Sequence, residues 1–493
     1  MPENSLENSL LCASPESLGI PSQAIAEFLD EMRALSFPIH SFLLLRHGKV
    51  AAEGYCPPFD PGRKHRMYSV SKSFTSVAIG MLVTEGKLSL DDKVADFFPE
   101  YIPENPSPYL LEATVRHLLT MATFNETTAY DFQSPDFVRA FFDNPNPKHK
   151  PGAVFHYDTA ATVTLCGIVE KLSGKPMLSY MRPLLDEIGF SKDAFCVKTP
   201  EGRSWTGSGI LCTPRDLARF GLLCLRRGAW GGKQLVSRAY MEEATSYQID
   251  TTVSHSGLGP GGYGYQFWML KEGGFACCGM GSQFAFMMPK YDTVTVVTAD
   301  TQALNNADDV IREAHYRMLG ALREEPLPED AKARGGLSAR LEALTLPLPC
   351  GSRTTALASK ISGVRYDFEQ NLFGFKWMRV DVAQDACTLT YEKRTGVHSL
   401  KLYMGAYGDL IFPDAYFGRQ IGVADTRYRC VSAGAWEREN TLLGRIYAVD
   451  DYLGTLKMQL TFVGEDLTVF MTKNAEAFFD DYRGYLAGHA AKG

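Results

Sequence analysis

Between Met67 and Asp92 the chain reads MYSVSKSFTSVAIGMLVTEGKLSLDD, with three serines and one lysine in the five residues SVSKS ahead of an apolar helical run. A hydroxyl and an amine three positions apart share one face of a helix. With Ser69 in the first helical turn, the free backbone N–H groups and the positive end of the helix dipole surround it. That field favours an alkoxide and, later, an oxyanion. It disfavours an ammonium at Lys72, and burial pushes the same way. A neutral lysine can take the serine proton and so activate the nucleophile. Serine is also a favoured N-cap, and roughly one S-x-x-K is expected by chance in a chain of this size. The pair alone therefore leaves open an ordinary polar cap.

The elements around the pair narrow the choice. PSQAIAEFLDEMRAL (21–35) has helical periodicity. SFLLLRHGKVAAEGY (41–55) reads as a hairpin turning at Arg46-His47-Gly48-Lys49. The apolar helix is expected over 69–85 and ends at Gly86. TVRHLLTM (114–121) is a short helix, 124–150 is rich in aromatics and proline, and 157–172 resumes a helix before Gly174. TPRDLARFGLLCLR (213–226) is a helix with Thr213 as N-cap and Pro214 in its first turn. Strand alternation follows at 264–270, 274–278, 284–288 and 293–298, and an amphipathic helix over 306–322. A hairpin at one end and strands at the other predict one antiparallel sheet built from both ends of the domain, with helices inserted between.

EEPLPEDAK (324–332) is charged and carries prolines, as a linker does. Beyond it short strand patterns recur about every ten residues from 362 to 471, which predicts an all-β barrel or sandwich. The expected organisation is a catalytic α+β domain over 1–323, a linker over 324–352 and a barrel-like β domain over 353–493. Trp377 and Trp436 are expected in the core of the latter.

Bulk composition limits the partners. The net charge of −7 disfavours nucleic acid and anionic membrane. The N-terminal MPENSLENSLLCASPESLGI is acidic with no unbroken apolar run, so no secretory signal is expected. No apolar stretch approaches the length of a membrane span. The eleven cysteines lack CxxC spacing, and several lie in apolar runs, as buried thiols of a reducing cytoplasm do. The ten histidines form no HxxxH or HExxH, so no metal is expected, and acyl transfer through a serine and a lysine calls for no organic cofactor.

SVSKSFTSVAIGMLVTEGKLSLDDKVADFFPEY resembles the active-serine segment of the β-lactamase and penicillin-binding-protein family of serine hydrolases, nearest the branch of class C β-lactamases, esterases and D-amino-acid amidases. TVRHLLTM, PGAVFHYDTAATVTLCGIVEKLSG, GSGILCTPRDLARFGLLCLRRGAWGGKQLVS and GMGSQFAFMMPKYDTVTVVT resemble later segments of that family in the same order. The likeness covers about residues 17–322 and makes a mere cap an inadequate reading of Ser69.

The resemblance implies further site residues. The family's Tyr-x-Asn is matched by Tyr157-Asp158-Thr159, so Tyr157 relays a proton beside Ser69 and Lys72. Thr159 departs from asparagine and lacks the paired donor and acceptor of an amide. The Lys-Thr-Gly motif aligns with Met280-Gly281-Ser282; the cation that holds a substrate carboxylate is gone, which leaves Met280 as either an apolar substrate face or a packing residue. By alignment the oxyanion hole comes from the backbone N–H groups of Ser69 and Gln283. Thr159, Met280, Gly281 and Ser282 are the expected substrate contacts. His156 is read as structural and Asp158 as a helix-start acid, and no G-x-S-x-G elbow occurs.

The expected activity is cleavage of an ester or amide of a small, apolar molecule through an acyl-enzyme on Ser69. Alternatives are an acyltransferase that passes the acyl group to an alcohol or amine, a true β-lactamase or D-amino-acid peptidase, and a non-catalytic acyl- or ligand-binding protein.

Overall fold

The computed structural model describes residues 10–131, 134–144, 149–252, 261–302, 304–414, 427–475, 479 and 481–491. Of the aromatic stretch 124–150, positions 132–133 and 145–148 lie outside the described residues, as do residues 1–9 of the N-terminal segment. The chain divides into two units, residues 1–345 and 346–493.

The first unit is built on a six-stranded antiparallel sheet. Its order is Lys49–Tyr55, Ile39–Arg46, Thr293–Ala299, Gln283–Met288, Phe275–Gly279 and Trp268–Met269. The N-terminal hairpin thus pairs with strands some 250 residues later, Leu43 facing Val296. His47 and Gly48 both have positive φ, 52° and 71°, the twist that a two-residue hairpin turn needs. Ile39–Arg46 is buried along its whole length because helices cover both faces. Phe28 of helix Ser22–Ala34 packs on Phe42 at 5.1 Å between ring centroids, and His315 of helix Ala307–Gly320 stacks on Phe286. On the other face, helix Pro214–Leu225 lays Gly221 against Val294 and Met287. That helix starts with Thr213 as the expected N-cap, in a capping box with Asp216.

The apolar run after Ser71 forms helix Ser71–Thr84, buried continuously from Ser71 to Leu82. Phe74 stacks on Phe220 at 3.7 Å. A helix buried all round reads as apolar all round, hence the lack of a polar stripe in its sequence. Its polar atoms are matched individually. Ser73 Oγ donates to Gln266 O, and Gln266 in turn donates to Leu118 O and Leu119 O and accepts from Thr162 Oγ1. These bonds join three helical segments around the head of the helix.

The helix expected over 157–172 begins two residues later, at Thr159, and runs to Ser173. Asp158 is its N-cap in an extended conformation and accepts from Ala160 N, so the chain before it, including Tyr157, is not helical. The strand expected over 264–270 shrinks to Trp268–Met269, since Gln266 has φ 64° and uses its side chain as a crosslink instead. Within the 324–352 stretch, Ala331–Glu342 is helical, and Arg340 pairs with Asp30 at 2.8 Å.

The second unit is a ten-stranded antiparallel sheet. A bridge between Met404 and Gly434 and a 2.5 Å bond from Ser432 Oγ to Lys401 O bring its two ends together into a nearly closed barrel. Inside lie Tyr391, Trp436, Leu456 and Val469. Trp377 departs from the expected core placement. It is half-buried, its indole N–H donates to Glu392, and Arg365 covers its ring. An indole with a surface carboxylate in reach satisfies its donor there.

Two buried ionisable groups near the head of the helix make opposite demands on pH. His40 Nδ1 and His65 Nε2 are 2.9 Å apart, with Phe59 stacked on His40. Burial, with Arg63 adding to it, holds the His65 imidazolium down to about 3. Its stabilising share is present above the ordinary histidine range and is lost as pH falls from about 6.5 toward 3, at about 1.4 kcal/mol per pH unit. Asp158 is the reverse: burial pushes its carboxyl up to about 6, against bonds from Asn125, Ala160 and Thr123. Its share is present below the ordinary aspartate range and is lost as pH rises through about 6. Urea unfolding between pH 4 and 7 should therefore show a flatter acid limb for His65→Gln and a steeper one for Asp158→Asn than for the parent chain. Parallel limbs would contradict these burial effects.

Candidate active site

Ser69 sits in a 3-10 turn, Tyr68–Val70, that runs directly into helix Ser71–Thr84. Tyr68, just before it, has φ 47°, a conformation that costs a non-glycine residue of order 1 kcal/mol and persists only where the surroundings impose it. The turn is held from outside: Met67 N donates to Ile210 O, and Ile210 N donates to Ser71 Oγ. Lys72 follows one turn on and is 1% exposed. Its Nζ lies 3.0 Å from Ser69 Oγ and 2.5 Å from the carbonyl oxygen of Gly207. The amine is thus fixed between a hydroxyl and a peptide carbonyl.

Tyr157 completes the cluster. Its phenol interacts with the Ser69 side chain, and Lys72 Nζ stands 5.0 Å from its ring centroid. Trp268 stacks on the ring at 5.7 Å with planes 21° apart, which fixes where the phenol oxygen points. Burial raises the ionisation of Tyr157 well above the usual tyrosine range, only partly offset by its interaction with Ser69. The phenol is therefore protonated at neutral pH. A protonated phenol can pass a proton along.

The sheet edge lies against this cluster. A Cβ added to Gly279 would stand 2.3 Å from Met67 O and 3.3 Å from Ser69 N, so only glycine lets Phe275–Gly279 approach the turn so closely. Trp268–Met269 covers this strand only opposite Ala276 and Phe275, leaving Cys277–Gly279 as open edge. Gly274 O accepts from Leu270 N on that edge side. Strand alternation then directs the backbone N–H of Cys278 to the same side, toward the Ser69 turn.

The other expected site residues fall differently. The Thr159 methyl group lies against Gly207, 2.4 Å from where a Cβ there would sit, and its backbone N–H donates to Thr128 Oγ1; it flanks the carbonyl that holds Lys72. Met280 is 40% exposed at the tip of the following hairpin. Ser282 is fully buried, and its hydroxyl is taken by Thr301 Oγ1 and Asp308 Oδ1. Gln283 is the clearest departure. Its backbone is in register with Gly279 on an inner strand, and its side chain donates to Met280 O, Gly281 O and Ala299 O. It braces the turn around Gly281 rather than facing Ser69. The alignment fell on it because the turn residues, not the strand beside Ser69, carry the distinctive side chains. Gly207 and Cys278 were not singled out beforehand; both act through backbone atoms, which leave no residue-type signature beyond the glycines of GSG at 207–209. His156 donates its backbone N–H to Met121 O, and Asp158, expected as a helix-start acid, is the N-cap of the following helix. Among the described residues no group of three or more His, Cys, Asp and Glu side chains is placed to hold a metal ion, and no helix is long and apolar enough to cross a membrane.

Comparison with known proteins agrees with this architecture. The chain is 27% identical over 285 residues to the 6-aminohexanoate-dimer hydrolase of Paenarthrobacter ureafaciens, covering 52% of this chain and 71% of that protein. Among solved structures, a 6-aminohexanoate-dimer hydrolase candidate from Bacillus anthracis superposes with a TM-score of 0.52 at 21% identity, covering 64% of this chain and 90% of that one. A penicillin-binding protein homologue from Caulobacter crescentus gives 0.50 at 17% identity, over 62% of this chain and 98% of its own. These two share the fold. The model of the Beta-lactamase family matches residues 25–317, well over half of the chain and all of the elements that carry Ser69, Lys72, Tyr157 and Gly279: the chain belongs to the Beta-lactamase family and is a hydrolase of that fold.

Proposed function

We propose that this protein is a serine hydrolase that cleaves a small linear amide or ester through an acyl-enzyme on Ser69. The observation that carries the reading is Lys72 Nζ 3.0 Å from Ser69 Oγ, with the Tyr157 ring 5.0 Å from the same amine. Lys72 takes the proton from Ser69 as Oγ bonds to the substrate carbonyl carbon. The tetrahedral oxyanion is held by the backbone N–H groups of Ser69 and Cys278. Tyr157 passes the proton on to the departing amine or alcohol as the C–N or C–O bond breaks. Water then attacks the ester carbonyl on Ser69 and gives up a proton, which the same pair returns to Ser69 Oγ as the acyl C–O bond breaks and the acid departs.

Two features favour a neutral or weakly polar acyl group. Met280, at the hairpin tip just beyond the strand edge at Gly279, is an exposed apolar side chain rather than a cation, and Thr159 stands where the resemblance places the family's amide. Neither suits the carboxylate and side-chain amide of a penicillin. The likeness to a 6-aminohexanoate-dimer hydrolase supports a linear amide over a strained ring. All eleven cysteines are free thiols, which supports a reducing compartment, the cytoplasm.

Stopped-flow acylation with p-nitrophenyl esters and linear anilides tests this. Lys72→Ala should acylate at least about a hundredfold more slowly, the scale of a lost general base; an unchanged rate would remove Lys72 from the mechanism. Met280→Lys should leave folding intact and improve binding of carboxylate-bearing esters. Stronger binding of neutral esters instead would contradict the placement of Met280 at the substrate.

A further inference from the structure

Arg66 lies three residues before Ser69 in a two-residue strand, His65–Arg66, and is wholly buried. Its Nε donates to Ser208 O at 3.0 Å. Its guanidinium lies over two rings, 4.7 Å from the Tyr68 centroid and 4.9 Å from that of Trp205. Both rings belong to the two segments that meet at Lys72: Tyr68 adjoins Ser69, and Trp205 begins the turn that contains Gly207. Trp205 is itself tethered, its indole N–H donating to Tyr130 OH.

The turn at 205–209 is tight, Trp205 O accepting from both Ser208 N and Gly209 N. It presents two successive carbonyls to buried cationic side chains: Gly207 O to Lys72 and Ser208 O to Arg66. Rotation of the turn would move both carbonyls together. The carbonyl of Gly207 decides where the Lys72 amine sits, because the amine has only short stem freedom left once it is buried between that oxygen and Ser69. A planar guanidinium clamped between two rings and bonded through Nε is a stiff spacer, and here it sets the distance between the nucleophile turn and the turn that holds the base.

We propose that Arg66 is a positioning residue for acylation: by fixing the 205–209 turn against Tyr68, it aims the Gly207 carbonyl and, through it, the Lys72 amine at Ser69. This rests on Lys72 being the base in the proposed reaction. Arg66 touches no substrate, so its loss should lower the acylation rate and leave substrate affinity unchanged.

The test is a coupling experiment. Acylation rate and apparent substrate affinity are measured with a p-nitrophenyl ester for Arg66→Met and Arg66→Lys, each in the parent chain and in Lys72→Ala. Methionine keeps apolar bulk between the rings without the donor; lysine restores a donor and a cation but not the plane. In the parent background Arg66→Met should acylate at least about tenfold more slowly, and Arg66→Lys about threefold, with affinity within twofold. In the Lys72→Ala background both losses should vanish, because the residue acts through that amine. Equal losses in both backgrounds, or a loss confined to affinity, would overturn the proposal. The two variants give the same comparison, so one that folds suffices, and thermal melts identify it. A fluorophosphonate label that fails to reach Ser69 in the parent chain would instead overturn the underlying reaction, whatever Arg66 does.

Discussion

The arrangement depends on where one buried amine is held. A lysine side chain 1% exposed can occupy many rotamers in principle, and most of them would waste it as a base. Here Nζ is fixed from two sides, by Ser69 Oγ and by the peptide oxygen of Gly207. The carbonyl takes one amine hydrogen and leaves the hydroxyl as the partner on the other side. That is the geometry in which an uncharged amine can accept a proton from serine. Burial makes both contacts stronger than they would be in water, and makes an orphaned amine correspondingly costly.

The rest of the fold can be understood as holding that amine's neighbours still. The helix from Ser71 is enclosed on all sides, so neither its pitch nor its rotation can drift. The central sheet joins residues 39–55 to 275–299, which brings a glycine-bearing edge up to the nucleophile turn. Gly279 is small because Met67 O and Ser69 N leave no room for a Cβ. Trp268 sets the plane of Tyr157, and Gln266, two residues earlier, crosslinks the helices below. Positive φ at Tyr68 fits this picture: the strain sits where several independent contacts over-determine the chain.

Most of the architecture was legible in the sequence, and the reason is periodicity. The hairpin at 41–55, the capped helix after Thr213 and the strand alternation after 274 each carry a pattern that only one element satisfies, and the sheet built from both chain ends follows from them. The barrel-like second unit was readable from its regular spacing of strands. Ser69, Lys72 and Tyr157, expected as a group, lie together in the structure, and they could be named from the letters because the chemistry proposed for them resides in side chains. The start of the 159–173 helix was misplaced because Asp158 had not been read as a cap with extended backbone. Gln283, expected at the oxyanion hole, lies on an inner strand with its side chain turned to the hairpin, and the anchor Gly207 and the proposed donor Cys278 have no place in the sequence reading, for a common cause. An oxyanion donor or a lysine anchor made by the peptide group can be carried by any residue type, so nothing in the letters distinguishes it. Arg66 was passed over for a different reason: an arginine beside a histidine and a methionine has no pattern until Trp205, distant in sequence, is seen to cover it.

The most direct test is to acid-quench the protein during steady turnover of a slow p-nitrophenyl ester, weigh it intact, and map the adduct by peptide sequencing. The account predicts one acyl group per chain, on the peptide that contains Ser69, appearing with the burst of nitrophenol and decaying at the turnover rate. Turnover without a covalent adduct, or an acyl group on any other residue, would contradict it.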